Sequence, residues 1–177
     1  MMLNFFTMAA NLKNVSRQGW IDKLSISDPE SVADHSYSMA VICMVISDLE
    51  RYDSEKIIKM TLLHDLAESK TGDIVPGQIP KDRKIALEHE AFVEISKNLP
   101  GDIKSQYLKI WNEYQENESP ESQMVHQIDK LEMALQAKQY LKDGYSKDKM
   151  LSFFETARKE ITHPKLKELL DDVMSAK

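Results

Sequence analysis

Residues 56–70 read KIIKMTLLHDLAESK, and their apolar side chains recur at the spacing of an α-helix. Asp53 precedes this stretch as an N-cap, and Gly72 follows it at a position where a C′ residue ends many helices. We therefore predict one continuous helix from Lys56 to about Lys70 with a buried apolar face. That face comprises Ile57, Ile58, Met60, Leu62, Leu63, Leu66 and Ala67.

Helical spacing continues towards the N-terminus. Leu3, Phe6 and Ala10 predict a first amphipathic helix, and residues 16–28 read as an irregular stretch. Asp28 followed by Pro29 resembles an N-cap and a first helical position, so a second helix is predicted from there to about residue 49. This helix is apolar nearly all round, which predicts that it is central and buried.

The C-terminal half is also predicted to be helical. After a surface loop over 71–82, which contains Pro and Gly, helices are predicted near 81–98, 102–116, 120–142, 147–160 and 164–175. Only 5 Gly and 6 Pro occur in the chain, which disfavours a turn-rich β fold. The sequence therefore predicts an all-α fold, with a single compact helical domain over residues 1–177.

Composition and charge narrow the range of partners. The chain has 23 Lys and Arg against 29 Asp and Glu, a net charge of −6. Because no block of five basic residues occurs, a nucleic-acid polymer or an anionic membrane is not expected as a partner. The apolar run Met39–Ile46 is shorter than the roughly 20 residues that cross a bilayer. With no basic n-region before the first apolar residues and one cysteine, Cys43, we predict a cytoplasmic protein.

His64, Asp65 and Glu68 crowd one turn of the helix predicted over 56–70. A His-Asp pair in an apolar stretch costs several kcal/mol to desolvate unless other groups pair with it. Glu68 lies four residues after His64, so the two side chains share a face, with Asp65 at its flank. An exposed polar stripe is the alternative interpretation of the dipeptide alone.

Two further positions complete a possible ligand set. His35 lies near the start of the second helix, and Asp129 lies in the helix predicted over 120–142. Each alone is typical of a capping pair or a solvated helix face. Together with His64 and Asp65 they form two imidazoles and two carboxylates from three helices. Such a set suits a divalent Mn, Fe, Co, Ni or Zn ion, and ligand type does not choose among these metals.

The ordered set His35, His64-Asp65 and Asp129 resembles the HD-domain metal-dependent phosphohydrolases. The resemblance extends over roughly residues 8–165 and is strongest to the 5′-deoxynucleotidase branch of that family. It is carried by the stretches 12–20, 30–35, 64–68 with 72–74, and 129–132. The resemblance implies a helical fold, a homodimer, and hydrolysis of the 5′-phosphate of a deoxyribonucleoside monophosphate.

The resemblance also implies roles for individual residues. His35, His64, Asp65 and Asp129 match the metal ligands of relatives. Glu68 and Asp73 match catalytic carboxylates or ligands of a second ion, to which the Ile74 carbonyl would add, and Asp73 alternatively contacts the sugar. Arg17 matches the residue that orients the phosphate.

Two of the implied substrate contacts have plainer alternatives. Arg17 could be a solvated loop residue instead of a phosphate ligand. Trp20 could either line the sugar pocket or anchor its loop by packing. In bacterial nucleotidases of this family a tryptophan directly follows the arginine, whereas Gln18 stands there in this sequence.

Other functions remain open at this level. Alarmone hydrolases of the same family share the His-Asp-x-x-Glu pattern, but they typically place an aspartate where this chain has Ser69. Nucleotide pyrophosphohydrolases are a further alternative within the family. Outside enzymes, the chain could be a helical binding protein with a structural metal, although such a site would not need Glu68 and Asp73.

Overall fold

The computed structural model describes residues 2–175, and every regular element within them is a helix. The prediction of an all-α fold is confirmed. A short 3-10 turn, Leu12–Asn14, follows the first helix. The helices are α1 Leu3–Asn11, α2 Gln18–Leu24, α3 Val32–Glu50, α4 Ser54–Leu63, α5 Glu68–Thr71, α6 Lys81–Ser96, α7 Gly101–Glu116, α8 Pro120–Lys142, α9 Lys147–Glu160 and α10 Pro164–Ser175.

Helix α8 lies at the centre of the packing, because it contacts α3, α4, α7, α9 and α10. Its Val125, Ile128 and Ala134 are fully buried and share one apolar core with Met39 of α3 and Met60 of α4. Burying a side chain of this kind stabilises a fold by about 1.5–3 kcal/mol. The core thereby fixes the relative positions of the three helices that carry the candidate metal ligands.

Helix α3 begins three residues later than the sequence predicted. Ser31, not Asp28, is its N-cap. The Asp34 N–H donates to Ser31 Oγ at 3.2 Å, and the Ser31 N–H donates to the Asp34 carboxylate at 2.9 Å. These reciprocal bonds form a capping box, which satisfies two backbone donors that would otherwise lack partners.

The stretch predicted to be irregular over 16–28 contains α2. This short helix has no side-chain cap from its own N-cap residue, Arg17. Instead, the Gln18 N–H donates to Asp73 Oδ2 at 2.7 Å, across a large gap in sequence. A carboxylate satisfies a backbone donor in the first helical turn, where the helix dipole also favours negative charge.

The prediction that the second helix is buried on all sides is wrong. One face of α3 packs into the core through Met39, Cys43 and Ile46. The opposite face exposes an apolar stripe, which we call the α3 face: Tyr37 (72% exposed), Val41 (42%), Met44 (45%), Val45 (47%) and Leu49 (62%). Among residues 2–175, no helix is both long and apolar enough to cross a membrane.

Candidate metal centre

A break between α4 and α5 shapes the site, so the prediction of one continuous helix from Lys56 to Lys70 is wrong. Helix α4 ends at Leu63, and the following N–H groups bond to carbonyls three residues earlier, as in Glu68 to Asp65 at 3.0 Å. Adjacent side chains of a regular α-helix do not face each other. In this tighter turn, His64 Nε2 lies 3.1 Å from Asp65 Oδ2. The break thus converts two sequence neighbours into two converging ligands.

Both candidate histidines have their Nδ1 atoms engaged. His64 Nδ1 lies 2.6 Å from the Thr61 carbonyl oxygen, and His35 Nδ1 lies 2.6 Å from Glu132 Oε2. Because these oxygens are acceptors, each Nδ1 carries the proton and donates it. This arrangement leaves the Nε2 atom of each ring as the one able to bind a metal.

The Nε2 atoms converge with carboxylate oxygens. Ligand atoms of His35, His64 and Asp65 lie within 4.8 Å of one another. His35 Nε2 is 3.9 Å from Asp65 Oδ2 and 3.3 Å from Asp129 Oδ1. It is buried, and no hydrogen-bond partner for it exists among the described residues. Two imidazole nitrogens facing two carboxylates, with one nitrogen left unpartnered, fit a divalent cation.

Positive side chains flank the carboxylates of this cluster. Arg17 Nη1 lies 3.6 Å from Asp65 Oδ2, and Lys130 Nζ lies 2.8 Å from Asp129 Oδ2. Burial alone would raise the pKa of Asp65, but the adjacent histidines and Arg17 outweigh burial and lower that pKa. At Asp129, burial is again outweighed, and Lys130 holds the pKa well below its usual range. Both carboxylates are therefore ionised, as metal ligands must be.

The ring of His35 shows how strongly this site favours positive charge. Burial and a nearby arginine would lower the pKa of His35, but the carboxylates of Asp129 and Glu132 raise it to about 10. A proton on Nε2 therefore compensates the carboxylates of the metal-free protein. A metal ion held there by His35 would supply the positive charge in place of that proton.

Glu68 lies beside the cluster in a dry environment. Its side chain is buried at 3% exposure, and in residues 2–175 its Oε2 has no hydrogen-bond partner. Burial, and then the negative charges of Asp65 and Asp73, raise the pKa of Glu68 well above its usual value. A carboxyl group with a pKa raised by burial and neighbouring charge, beside a metal-type cluster, is typical of a catalytic acid or base.

Asp73 and Ile74 follow α5 and are tied to two other segments. Asp73 accepts the hydrogen bond from Gln18 described above, which connects this loop to the start of α2. The Ile74 carbonyl accepts a hydrogen bond from Lys84 Nζ at 2.7 Å. Both residues are only partly buried, so they lie at the open edge of the site.

Arg17 lies at the site, at the start of α2. Its backbone N–H donates to the Glu30 carbonyl oxygen at 3.1 Å, which joins this segment to the start of α3. Burial would lower the pKa of Arg17, but Asp65 and the other nearby carboxylates raise it above its ordinary value. The guanidinium is therefore permanently charged. Its position is set by the backbone bond to Glu30 and by the ion pair with Asp65.

Trp20 is packed between other aromatic rings. The ring is 2% exposed and lies 4.2 Å from the Phe153 ring and 5.1 Å from the Tyr140 ring, between centroids. Its Nε1–H donates to Glu30 Oε1 at 2.8 Å. These contacts support the packing interpretation, and contact with a sugar stays a prediction.

Sequence reasoning missed three polar residues near the cluster: Glu132, Glu30 and Lys84. A glutamate at this helical position is typical of a surface charge, but Glu132 is 3% exposed and accepts the Nδ1–H bond of His35. Its spacing of three residues from Asp129 on one helix was a usable signal, because such residues share a face. No local signal marks Glu30 or Lys84, whose partners lie in other segments.

The fold and the converging ligands define a helical protein with a metal-type His-Asp centre, and comparison with known families identifies it. The HD domain family model matches residues 9–170, so the chain belongs to the HD-domain family.

Named relatives narrow this class. The chain is 35% identical over 173 residues to a human protein named 5′-deoxynucleotidase HDDC2, covering 97% of this chain and 84% of the relative. It is 38% identical to the Dictyostelium discoideum protein of the same name, covering 94% and 93%. A crystal structure of a Pyrococcus horikoshii OT3 protein superimposes with a TM-score of 0.81 at 33% identity, covering 99% of both chains.

Proposed function

We propose that this protein is a metal-dependent 5′-deoxynucleotidase, which hydrolyses deoxyribonucleoside monophosphates to deoxynucleoside and phosphate. The observation that carries the proposal is the convergence of His35, His64 and Asp65 within 4.8 Å, with Asp129 3.3 Å from His35. The names of the relatives support the substrate class. They favour it over an alarmone hydrolase, a nucleotide pyrophosphohydrolase or a non-catalytic binding protein.

The proposed ligands of the cation are His35, His64, Asp65 and Asp129. When bound there, a divalent cation makes water a nucleophile at neutral pH, because it lowers the pKa of that water toward about 7, and it offsets phosphoryl charge. Mn, Co, Fe, Ni and Zn all suit this donor set. The protein's part is to hold the ligands deprotonated and aimed at one point.

Glu68 is the proposed general base. It lies one turn beyond the ligand pair, and its raised pKa makes it a stronger base than an ordinary glutamate. In this role Glu68 takes the proton of the attacking water as the P–O bond forms. Its burial excludes bulk water, which strengthens each electrostatic interaction at the reacting atoms.

Arg17 and Asp73 are proposed to hold the substrate. The guanidinium of Arg17 presents a planar fork that matches two phosphate oxygens. Asp73 at the open edge is proposed to contact the sugar or, in a protonated form, to protonate the leaving 5′-oxygen. A second ion held by Glu68, Asp73 and the Ile74 carbonyl would have to displace the ammonium of Lys84, which now bonds to that carbonyl.

The proposal extends to assembly and location. An exposed apolar stripe on one helix is unusual for a monomer and typical of a subunit interface. We therefore propose that the α3 faces of two copies pack together in a homodimer. Cytoplasmic residence is proposed with it, since the buried free thiol of Cys43 suits a reducing compartment.

Phosphate release from matched deoxy- and ribonucleoside monophosphates tests the activity. Protein stripped with a chelator is assayed alone and after addition of Mn²⁺, Co²⁺ or Zn²⁺. We expect release from deoxyribonucleotides that requires the metal and disappears in Asp129→Asn. Absence of release from every monophosphate, in protein that binds the metal, would contradict the nucleotidase assignment and favour a binding protein.

A further inference from the structure

Glu132 forms the tightest contact that either candidate imidazole makes with a charged side chain. It lies on α8 one turn after Asp129, and its Oε2 is 2.6 Å from Nδ1 of His35. Both side chains are buried, with His35 at 0% and Glu132 at 3% exposure. A carboxylate at Nδ1 fixes which nitrogen carries the proton and makes the opposite nitrogen a stronger donor to a metal.

Next to Glu132 lies a second, half-buried carboxyl group, that of Glu30. Ligand-type atoms of Glu30, His35 and Glu132 lie within 4.8 Å of one another. Trp20 Nε1–H donates to Glu30 Oε1, and the Tyr140 hydroxyl oxygen accepts from the Glu30 N–H at 2.9 Å. The first bond orients the Glu30 carboxyl group, and the second fixes the Glu30 backbone.

Electrostatics agree with this geometry. Burial, and then the negative charge of Glu132, raise the pKa of Glu30 to about 7. The neutral form of Glu30 is thereby more favoured than that of an ordinary glutamate.

We propose that Glu132 is the positioning residue of the metal centre, which holds the Nδ1–H of His35 so that Nε2 is aimed at the cation. Trp20 and Glu30 form the support that keeps Glu132 in place. The inference rests on the proposed function, because it concerns a ligand of the same cation. It assigns to Glu132 no contact with the substrate or with the reacting atoms.

The alternative is that Glu132 only contributes to the stability of the buried core. The two roles differ in what each substitution changes. Glu132→Gln has nearly the same shape and keeps an oxygen able to accept from Nδ1–H, but it lacks the charge. Glu132→Leu fills similar space and cannot accept the bond at all. Glu121→Gln, on the same helix but paired with Lys56, is the matched control.

The test measures Co²⁺ affinity by competition with a chelator, the visible absorption spectrum of bound Co²⁺, and thermal unfolding of the metal-free proteins. For Glu132→Leu we expect Co²⁺ affinity to fall by about 10–100-fold with an altered spectrum. For Glu132→Gln we expect a smaller loss in the same direction, and for Glu121→Gln none. The unfolding temperatures of the metal-free variants should not follow the order of their Co²⁺ affinities.

Two outcomes overturn the inference, and they are distinguishable. If Glu132→Leu binds Co²⁺ within twofold of wild type with the same spectrum, Glu132 does not position His35, and the proposed function is unaffected. If the wild-type protein itself binds no Co²⁺, the inference and the metal-dependent function fail together.

Discussion

Nε2 of His35 lies 3.3 Å from Oδ1 of Asp129, which joins the start of α3 to the middle of α8. Neither atom can donate a proton to the other when the imidazole is neutral, because both then present lone pairs. A positive charge between or upon them removes this conflict. In the metal-free protein a proton supplies that charge, and the pKa of His35 is accordingly raised to about 10.

Metal removal should therefore lower the stability of the protein. A cation present at 100 times its dissociation constant stabilises the folded state by about 2.7 kcal/mol. For a domain of this size, that corresponds to a fall of roughly 5–10 °C in Tm after chelation. Differential scanning calorimetry with and without Mn²⁺ measures this difference in Tm. His64→Ala is the control, and its Tm should not change when Mn²⁺ is added. An identical Tm for loaded and stripped wild-type protein would contradict the proposed site.

Glu68→Gln should separate catalysis from metal binding. Removal of the proposed base should lower kcat by about 10²–10⁴-fold. Metal content should stay unchanged, because the four proposed ligands are retained. Elemental analysis and single-turnover kinetics measure the two effects, with the exposed Glu90→Gln as control. A near-normal kcat in Glu68→Gln would rule out this assignment of the base.

The same substitution should raise stability near neutral pH. The pKa of Glu68 is raised well above its usual value in the folded protein. Ionisation therefore opposes folding as pH rises above the pKa of the unfolded chain, and the penalty is absent in more acidic solution. Glu68→Gln removes this penalty, so its Tm should equal or exceed that of metal-free wild type at pH 7–8. A markedly lower Tm would show that the ionised carboxylate is stabilised by contacts other than those described.

Much of the fold follows from local signals in the sequence. Three of the four helices after residue 100 begin at Gly101, Pro120 and Pro164, where Pro and Gly interrupt the periodicity. The structure agrees with the predicted bounds of all four within one residue. One exception is α2, whose first turn is capped by Asp73 from another segment. Another exception is the break after Leu63. It contains no Pro or Gly, so the periodicity predicted a helix that continues through it.

In the candidate site, the sequence predicted the metal ligands but not the residues that support them. Ligand types and spacing suggested the histidines and aspartates, because few other residues combine metal affinity with an apolar setting. The residues that support these ligands could not be predicted from residue type and spacing. The partner of His35 Nδ1 lies on α8 and that of Trp20 lies just before α3, and such pairings arise only when the helices pack.

Arg17→Lys should weaken the use of substrate without disturbing the metal. A lysine keeps the positive charge but loses the planar fork, and charge-assisted hydrogen bonds contribute about 1.5–3 kcal/mol. We expect kcat/KM for a deoxyribonucleoside monophosphate to fall by about 10–100-fold. Steady-state kinetics measure this against Arg83→Lys, an exposed arginine on α6. An unchanged kcat/KM in Arg17→Lys would contradict the phosphate contact and favour the interpretation of Arg17 as a loop residue.

The thiol of Cys43 should be inert in the folded protein. It is fully buried, and burial raises its pKa to about 12. Because the thiolate is the reactive form, native protein at pH 8 should react with a disulfide reagent far more slowly than protein in urea. Absorbance of the released thiol measures both rates. Rapid release of one equivalent from native protein would mean that α3 opens readily.

The α3 face should determine the oligomeric state. Val41 lies at its centre and is 42% exposed in the single chain, so Val41→Glu would place charge in an apolar dimer interface. We expect wild-type protein to be a dimer by light scattering and Val41→Glu to be a monomer with an unchanged helical circular dichroism spectrum. Leu151→Glu is the matched control, since Leu151 is similarly exposed (45%) on α9. A dimer that survives Val41→Glu, or a wild-type monomer at 100 times the assay concentration, would show that the α3 face is not the interface.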